Sequence, residues 1–158
     1  RIIDLYVVNG QAVGSEKYDY KLRWFKAMQH WVQDELTRHS KLIVLGDFNI
    51  APDDRDVHDP LVWNEDSILT STQERAALQR LLGLGLHDSF RLHSDEAGVF
   101  SWWDYRMAGF RRNLGLRIDL VLISDALKSQ SIAVGIEREP RTWERPSDHA
   151  PVWVEINQ

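Results

Sequence analysis

At 158 residues with 43% apolar content and 7 tryptophans, the chain has the size of one domain and enough apolar mass for a real core. Its formal charge of -5 excludes binding of nucleic acid through a bulk positive field, so any polyanion must be met by a local basic patch. Cysteine is absent, which removes disulfides and thiolate chemistry, and no stretch has the length of a membrane span or the form of a signal peptide. A cytoplasmic protein that does not contact membranes is the expectation.

The opening residues, RIIDLYVV, read as a strand already under way at the first position, so the chain is expected to be a fragment. A turn-rich loop follows from Asn9-Gly10 to Glu16. Between Tyr18 and His39, the residues Phe25, Met28, Trp31, Val32 and Leu36 recur at three- and four-residue spacing, which predicts an amphipathic helix laid on a sheet. The run Leu42 to Gly46, followed by Asp47, Phe48 and Asn49, predicts a strand buried on both faces that opens into a loop before Ala51-Pro52. A long polar loop occupies Asp53 to Ser71, and loops of that length are often functional. Ser71 and Glu74 have capping-box spacing, predicting a helix that turns Ala77, Leu78, Leu81 and Leu82 inward and stops at Gly83. Beyond it the segment opening VFSWWDYR is expected to hold a short strand and an arginine-bearing loop, followed by strands over 117–123, 132–136 and 152–156, with a loop over 138–148 before the last. No repeat, low-complexity tract or linker divides residues 1–158, so one α/β domain is expected.

Asp47 is placed at the carboxyl rim of a sheet, where sheet-based enzymes hold ligands, although Asp47 and Asn49 are equally the residues that cap a turn. Asp119 interrupts the apolar strand Ile118 to Ile123 and needs a partner, either His149 or an arginine. Asp148 and His149 precede Ala150-Pro151 at the mouth of the last strand. A carboxylate bonded to one ring nitrogen of His149 would set its tautomer and leave the other nitrogen to donate to an anionic oxygen. Oxygen donors without sulfur suit Mg²⁺ or Mn²⁺, and the whole set, with Tyr6 as a phenolic donor, fits hydrolysis of a phosphodiester. Arg106, Arg111, Arg112 and Arg117, preceded by Trp102 and Trp103, suit a nucleic-acid strand; the alternative is a solvated loop over a tryptophan-rich core.

Taken together, YVVNG, GDFNIAP, LHDSFR, FSWWDYR, GLRIDLVL and PSDHAPVW resemble the exonuclease III family of apurinic/apyrimidinic endonucleases, within the superfamily that includes deoxyribonuclease I. The likeness runs from about Tyr6 to Val154 in the family's order. It implies part of a four-layer αββα sandwich and a nuclease for double-stranded DNA, cutting 5′ to abasic sites and removing nucleotides from 3′ ends. It implies catalytic roles for Tyr6, Asp47, Asn49, Asp119 and His149, with Asp119 orienting His149, and a site for Mg²⁺ or Mn²⁺ at Asp148, Asp47 and Asn49. Asn9 matches an asparagine near the scissile phosphate. Trp102, Leu116 and Ile118 fall where the family builds its pocket for a flipped-out abasic sugar. The rivals are another phosphodiesterase of the superfamily, such as a non-specific nuclease or a lipid or inositol phosphatase, and a nucleic-acid-binding module without catalysis.

Two departures shape further expectations. Val7-Val8 stands where the family has proline or phenylalanine-proline, which bears on the first loop. The family's amino-terminal portion, with its glutamate ligand, is not in this sequence, so the chain is expected to be the carboxyl-terminal portion. The parent is expected to be a monomer; the fragment is expected to self-associate through its uncovered sheet face and to be poorly active alone.

Overall fold

The computed structural model describes residues 1–157. Its central sheet has the order β1 (Ile2–Tyr6), β2 (Ile43–Asp47), β6 (Asp119–Ser124), β3 (Leu86–Asp88). β1 and β2 run parallel, while β6 runs antiparallel to both β2 and β3. Gly46 makes the first pairing possible: its φ is 131°, and a Cβ there would collide with the carbonyl oxygen of Leu5 on β1.

Helix α1 (Glu16–Arg38) starts two residues earlier than the spacing suggested, because the Ser15 hydroxyl accepts the Tyr18 N–H at 3.1 Å. Its buried stripe is Tyr18, Lys21, Phe25, Met28, Val32 and Glu35, a strict alternation of three- and four-residue steps. Trp31 falls one position off that stripe and is 43% exposed. Helix α2 (Thr72–Leu82) has the expected reciprocal cap between Ser71 and Glu74. Both helices pack on one face of the sheet, where Ile3, Val44, Leu120 and Leu122 meet Phe25, Met28, Val32, Leu78 and Leu81.

The opposite face carries Ile43, Leu45, Val121 and Ile123. It is covered by a ribbon of β7 (Ser131–Ile136) and β8 (Val152–Ile156), whose Val152, Val154 and Ile156 pack into it against β6. β2 was expected to be buried on both faces; it is sealed on the helical face and half-buried on this one, because the ribbon is narrow. At the sheet edge Ile2 remains 64% and Tyr6 61% exposed. The layers are helices, main sheet and a two-stranded piece of a second sheet, in keeping with the expected α/β class. The short α3 (Ser89–His93) and α4 (Asp125–Lys128) carry too few residues to show a period in the sequence. Among the described residues no helix is long and apolar enough to cross a membrane.

A third small pairing, β4 (Trp102–Trp103) with β5 (Gly115–Leu116), forms the seam between the two sheets. Residues 148–150 join its free edge: Trp103 N–H donates to the Asp148 carbonyl at 3.0 Å and Ala150 N–H to the Ser101 carbonyl at 2.7 Å. This seam carries His149, from the strand of the ribbon, to the rim of the main sheet.

Candidate active site

Asp47 ends β2 and Asp119 begins β6, and the two are register partners. The adjacent pair makes the ladder bond, Phe48 N–H to the Ile118 carbonyl at 2.9 Å. Asp47 and Asp119 therefore occupy a non-hydrogen-bonded pair, the kind whose Cα atoms approach to about 4.5 Å with side chains on one face. Two carboxylates so placed repel, and the Asp47 pKa is raised to about 6, first by burial and then by the Asp119 charge; the Asn49 N–H, His149 and Lys21 oppose the rise.

Asp119 is held from two sides. Ser101 Oγ donates to its Oδ2 at 2.7 Å, and His149 Nδ1 lies 2.9 Å from the same oxygen and 3.1 Å from Oδ1. Of the two partners left open for Asp119, the histidine is the one present. Nδ1 thus carries the proton that Asp119 accepts, and Nε2 is left for the cleft. Burial alone would lower the His149 pKa, but the Asp119 hydrogen bond, with the charges of Asp119, Asp47 and Asp148, raises it on balance. Asp148 is oriented by Trp102, whose Nε1 donates to Oδ2 at 2.9 Å.

Asn49 completes the rim. Its backbone is left-handed, with φ 48°, which asparagine tolerates better than most residues. Its N–H and side-chain Nδ2 each reach an oxygen of Asp47 at 2.8 Å, Nδ2 also reaches the Val7 carbonyl at 2.9 Å, and Oδ1 accepts Asn9 Nδ2 at 3.2 Å. The turn-capping and site readings of this segment are both realised: Asp47 fixes the turn while its carboxylate stays at the rim.

These groups line one cleft of about 710 Å³, with Tyr6, Asn9, Asp47, Asn49, Trp102, Ile118, Asp148 and His149 on its walls. Arg106 joins them, forked onto Asp104 at 2.5–3.1 Å. Arg111 and Arg112 are exposed on the adjoining loop. Three residues expected to touch DNA do not reach the surface. Trp103 is fully buried against Phe100, Phe110 and Ala150, as the tryptophan-rich-core alternative had it. Leu116 is buried behind the cleft with Ala51, Val57 and Leu69. Arg117, 1% exposed, binds Asp56 at 2.6 Å and Asp88 at 2.7 Å, while Arg91 shares Asp56 at 2.6 Å. The physical reason is strand alternation: Leu116 and Ile118 face one side, and Arg117 turns inward on the other.

Residues 2–149 match the model of the endonuclease/exonuclease/phosphatase family. The chain belongs to this family. Among curated relatives, exodeoxyribonuclease III of Haemophilus influenzae is 37% identical over 98% of this chain and 61% of its own length, and the exodeoxyribonuclease of Bacillus subtilis 35% over 99% and 60%. A 3′ phosphatase from Neisseria, solved with a product DNA hairpin, superposes with a TM-score of 0.96 at 49% identity, covering 99% of this chain and 61% of that one. An AP endonuclease from Archaeoglobus fulgidus superposes at 0.93 with 33% identity, over 99% and 61%. The chain thus spans about three fifths of the length of these family members.

Several residues at the site of this family member escaped the sequence reading. Ser101 sits inside FSWWDYR, but its bonds to Asp119 cross between sheets and leave no local pattern. His58 lines the cleft from the 53–71 loop, with its ring edge-on to Trp63 at 6.3 Å. Lys21 and Glu74 form a fully buried ion pair beneath the rim; the one available signal was a lysine where the α1 stripe calls for an apolar residue.

Proposed function

We propose that this site belongs to a metal-dependent nuclease of double-stranded DNA that hydrolyses phosphodiesters 5′ to abasic sites and at 3′ ends. The observation that carries the reading is the convergence of the Asp47–Asn49 turn and the Asp119–His149 pair on one cleft. The relatives' names, exodeoxyribonuclease III and AP endonuclease, and the product DNA in the Neisseria structure support it. In this reading Asp47, held at the rim by the Asn49 N–H and side-chain amide, orients and deprotonates the attacking water. His149 Nε2 donates to a phosphoryl oxygen while Asp119 holds the ring. Tyr6, Asn9, Trp102, Arg106 and Ile118 position the strand in the cleft, and Arg111 and Arg112 meet flanking phosphates.

The donor set suits a hard cation. Asp47, Asn49 and Asp148 offer only oxygen, and the register pairing of Asp47 with Asp119 crowds negative charge at the rim. Those three residues would hold Mg²⁺ or Mn²⁺, which supplies neutralisation of the phosphate charge when bound. The chain spans about three fifths of the length of its relatives, and the 158 residues alone are proposed to turn over slowly. The test is cleavage of end-labelled duplexes carrying one abasic site or a recessed 3′ end, with and without Mg²⁺. It is run on the 158-residue chain and on a longer polypeptide containing it. Metal-dependent cutting that His149→Ala and Asp47→Asn reduce by at least about 10²-fold supports the reading. Cutting of intact DNA or of phospholipid headgroups in preference to either duplex would transfer the site to a different hydrolase.

A further inference from the structure

Lys21 lies on the helical side of the main sheet, is 0% exposed, and does not line the cleft. All of its ammonium hydrogens are committed: one to Glu74 on α2, one to the Asn49 carbonyl at 2.7 Å, and one to the Asn9 carbonyl at 3.1 Å. Glu74 is equally buried, and its other oxygen accepts the Ser71 N–H at 3.1 Å and the Ser71 hydroxyl at 2.6 Å. Neighbouring Gly10 leaves just enough room for the lysine stem, since a Cβ there would lie 3.0 Å from Lys21 Cδ.

From this geometry we infer that Lys21 is a positioning residue: it clamps the Asn9 and Asn49 loops together from below and thereby fixes the amide of Asn49 on Asp47. Asn49 is the point where such a clamp matters. Its left-handed backbone is unfavourable for a residue with a side chain, and it persists because every polar group on it is satisfied. Without Lys21 its carbonyl would be a buried acceptor with no donor, and the simplest relief is a turn of the peptide that carries the side-chain amide off Asp47. Glu74 neutralises the clamp without touching either loop, so charge balance and positioning reside in different members of the pair.

The role of Lys21 in catalysis rests on the nuclease reading, while its role in holding Asn49 does not. The experiment compares Glu74→Gln with the double variant Lys21→Met/Glu74→Gln, following the Asn49 side-chain amide by NMR and stability by denaturation midpoint. Glu74→Gln keeps the lysine donors and is expected to lower the midpoint while leaving the Asn49 amide shifts and exchange protection in place. The double variant removes the lone buried charge and is expected to recover part of the midpoint while losing amide protection at least about tenfold, consistent with one lost hydrogen bond. In a cleaving polypeptide the same variant is expected to lose about 10²-fold in kcat with KM within a factor of two, the signature of misplaced groups. An unchanged Asn49 amide in the double variant overturns the proposal. Should that variant not fold, the Lys21 ammonium resonance of the unaltered protein decides: slow exchange supports the clamp and fast exchange overturns it. If the longer polypeptide cuts no DNA, the nuclease reading fails and the amide measurement still stands or falls by itself.

Discussion

Replacing Asp56 by alanine tests the assignment of Arg117 to the interior. Asp56 is completely buried and its Oδ1 accepts Arg117 Nε and Arg91 Nη2, each at 2.6 Å; its Oδ2 accepts the Asp53 N–H at 3.1 Å. Its carbonyl also takes the Arg117 N–H at 2.9 Å, which ties the 53–56 turn to the segment that leads into β6 at Asp119. With Asp88 the group is two arginines and two aspartates, neutral overall. Alanine leaves two guanidiniums with one carboxylate. Removing one member of a buried pair costs about 3–5 kcal/mol, since the remaining charge stays desolvated. For a domain of this size that corresponds to a fall in Tm of roughly 6–20 °C. Urea denaturation at low salt and at about 0.5 M salt, with the m-value held as a check, measures it. The loss should persist in salt, because a pair this deep is poorly screened. A loss below about 1 kcal/mol, or one that vanishes in salt, would refute the buried network and return Arg117 to the DNA-facing surface.

Arg111 and Arg112 are the opposite case. Alanine at both should leave stability within about 0.5 kcal/mol and weaken binding to duplex DNA. The slope of log K against log salt should shrink by about 0.9 for each phosphate that the variant no longer neutralises, read by fluorescence anisotropy. Gly46→Ala should cost several kcal/mol, on the order of 3, because it combines a collision with β1 and a positive φ, and calorimetry would register it. Without divalent cations the Asp47 carboxyl should titrate near pH 6 by carbon NMR, and Asp119→Asn should lower that midpoint by removing the second charge. The folded pKa lies above the ordinary aspartate value of 3.8, so ionised Asp47 disfavours the fold above about pH 6, and its contribution to stability improves as pH falls from about 6 toward 4.

What the sequence disclosed was what is local. The run Leu42–Gly46 and the strand around Leu120 revealed the sheet because an apolar run needs no distant partner to be read. The Ser71–Glu74 cap and the Asp148-His149 pair were legible for the same reason. Arg117 was misjudged because composition cannot tell it from Arg111 or Arg112, although all three lie within one arginine-rich stretch. What separates them is strand alternation and two carboxylates, Asp56 and Asp88, that lie 61 and 29 residues away. Trp103 and Trp102 are adjacent in sequence, and the alternation that puts one in the core leaves the other holding Asp148 in the cleft. Lys21 was hidden by its own character: a lysine in a helix is ordinarily solvated, and only the tertiary fold supplies the Glu74 that lets it stay dry.

The seam between the sheets makes Ser101 the residue on which both halves of the reactive pair depend. Its hydroxyl accepts the N–H groups of Ile118 at 3.1 Å and Asp119 at 3.0 Å and donates to Asp119 Oδ2 at 2.7 Å, so it fixes both the backbone and the carboxylate of the acid. Its own carbonyl accepts Ala150 N–H, immediately after His149. In Ser101→Ala that last bond is unaffected and His149 stays in place, while the acid loses its anchor. Two N–H groups at the start of β6 lose their acceptor, for a destabilisation of about 2–4 kcal/mol. The more telling consequence is at the ring. An Asp119 carboxylate free to rotate holds the Nδ1 proton less firmly, so the His149 pKa, raised by that hydrogen bond, should fall. A downward shift of the His149 midpoint in nitrogen NMR, with the ring still in the cleft, is the expected result. Loss of stability with an unmoved His149 midpoint would mean that the seam supports the fold alone and that Asp119 needs no help in orienting the histidine.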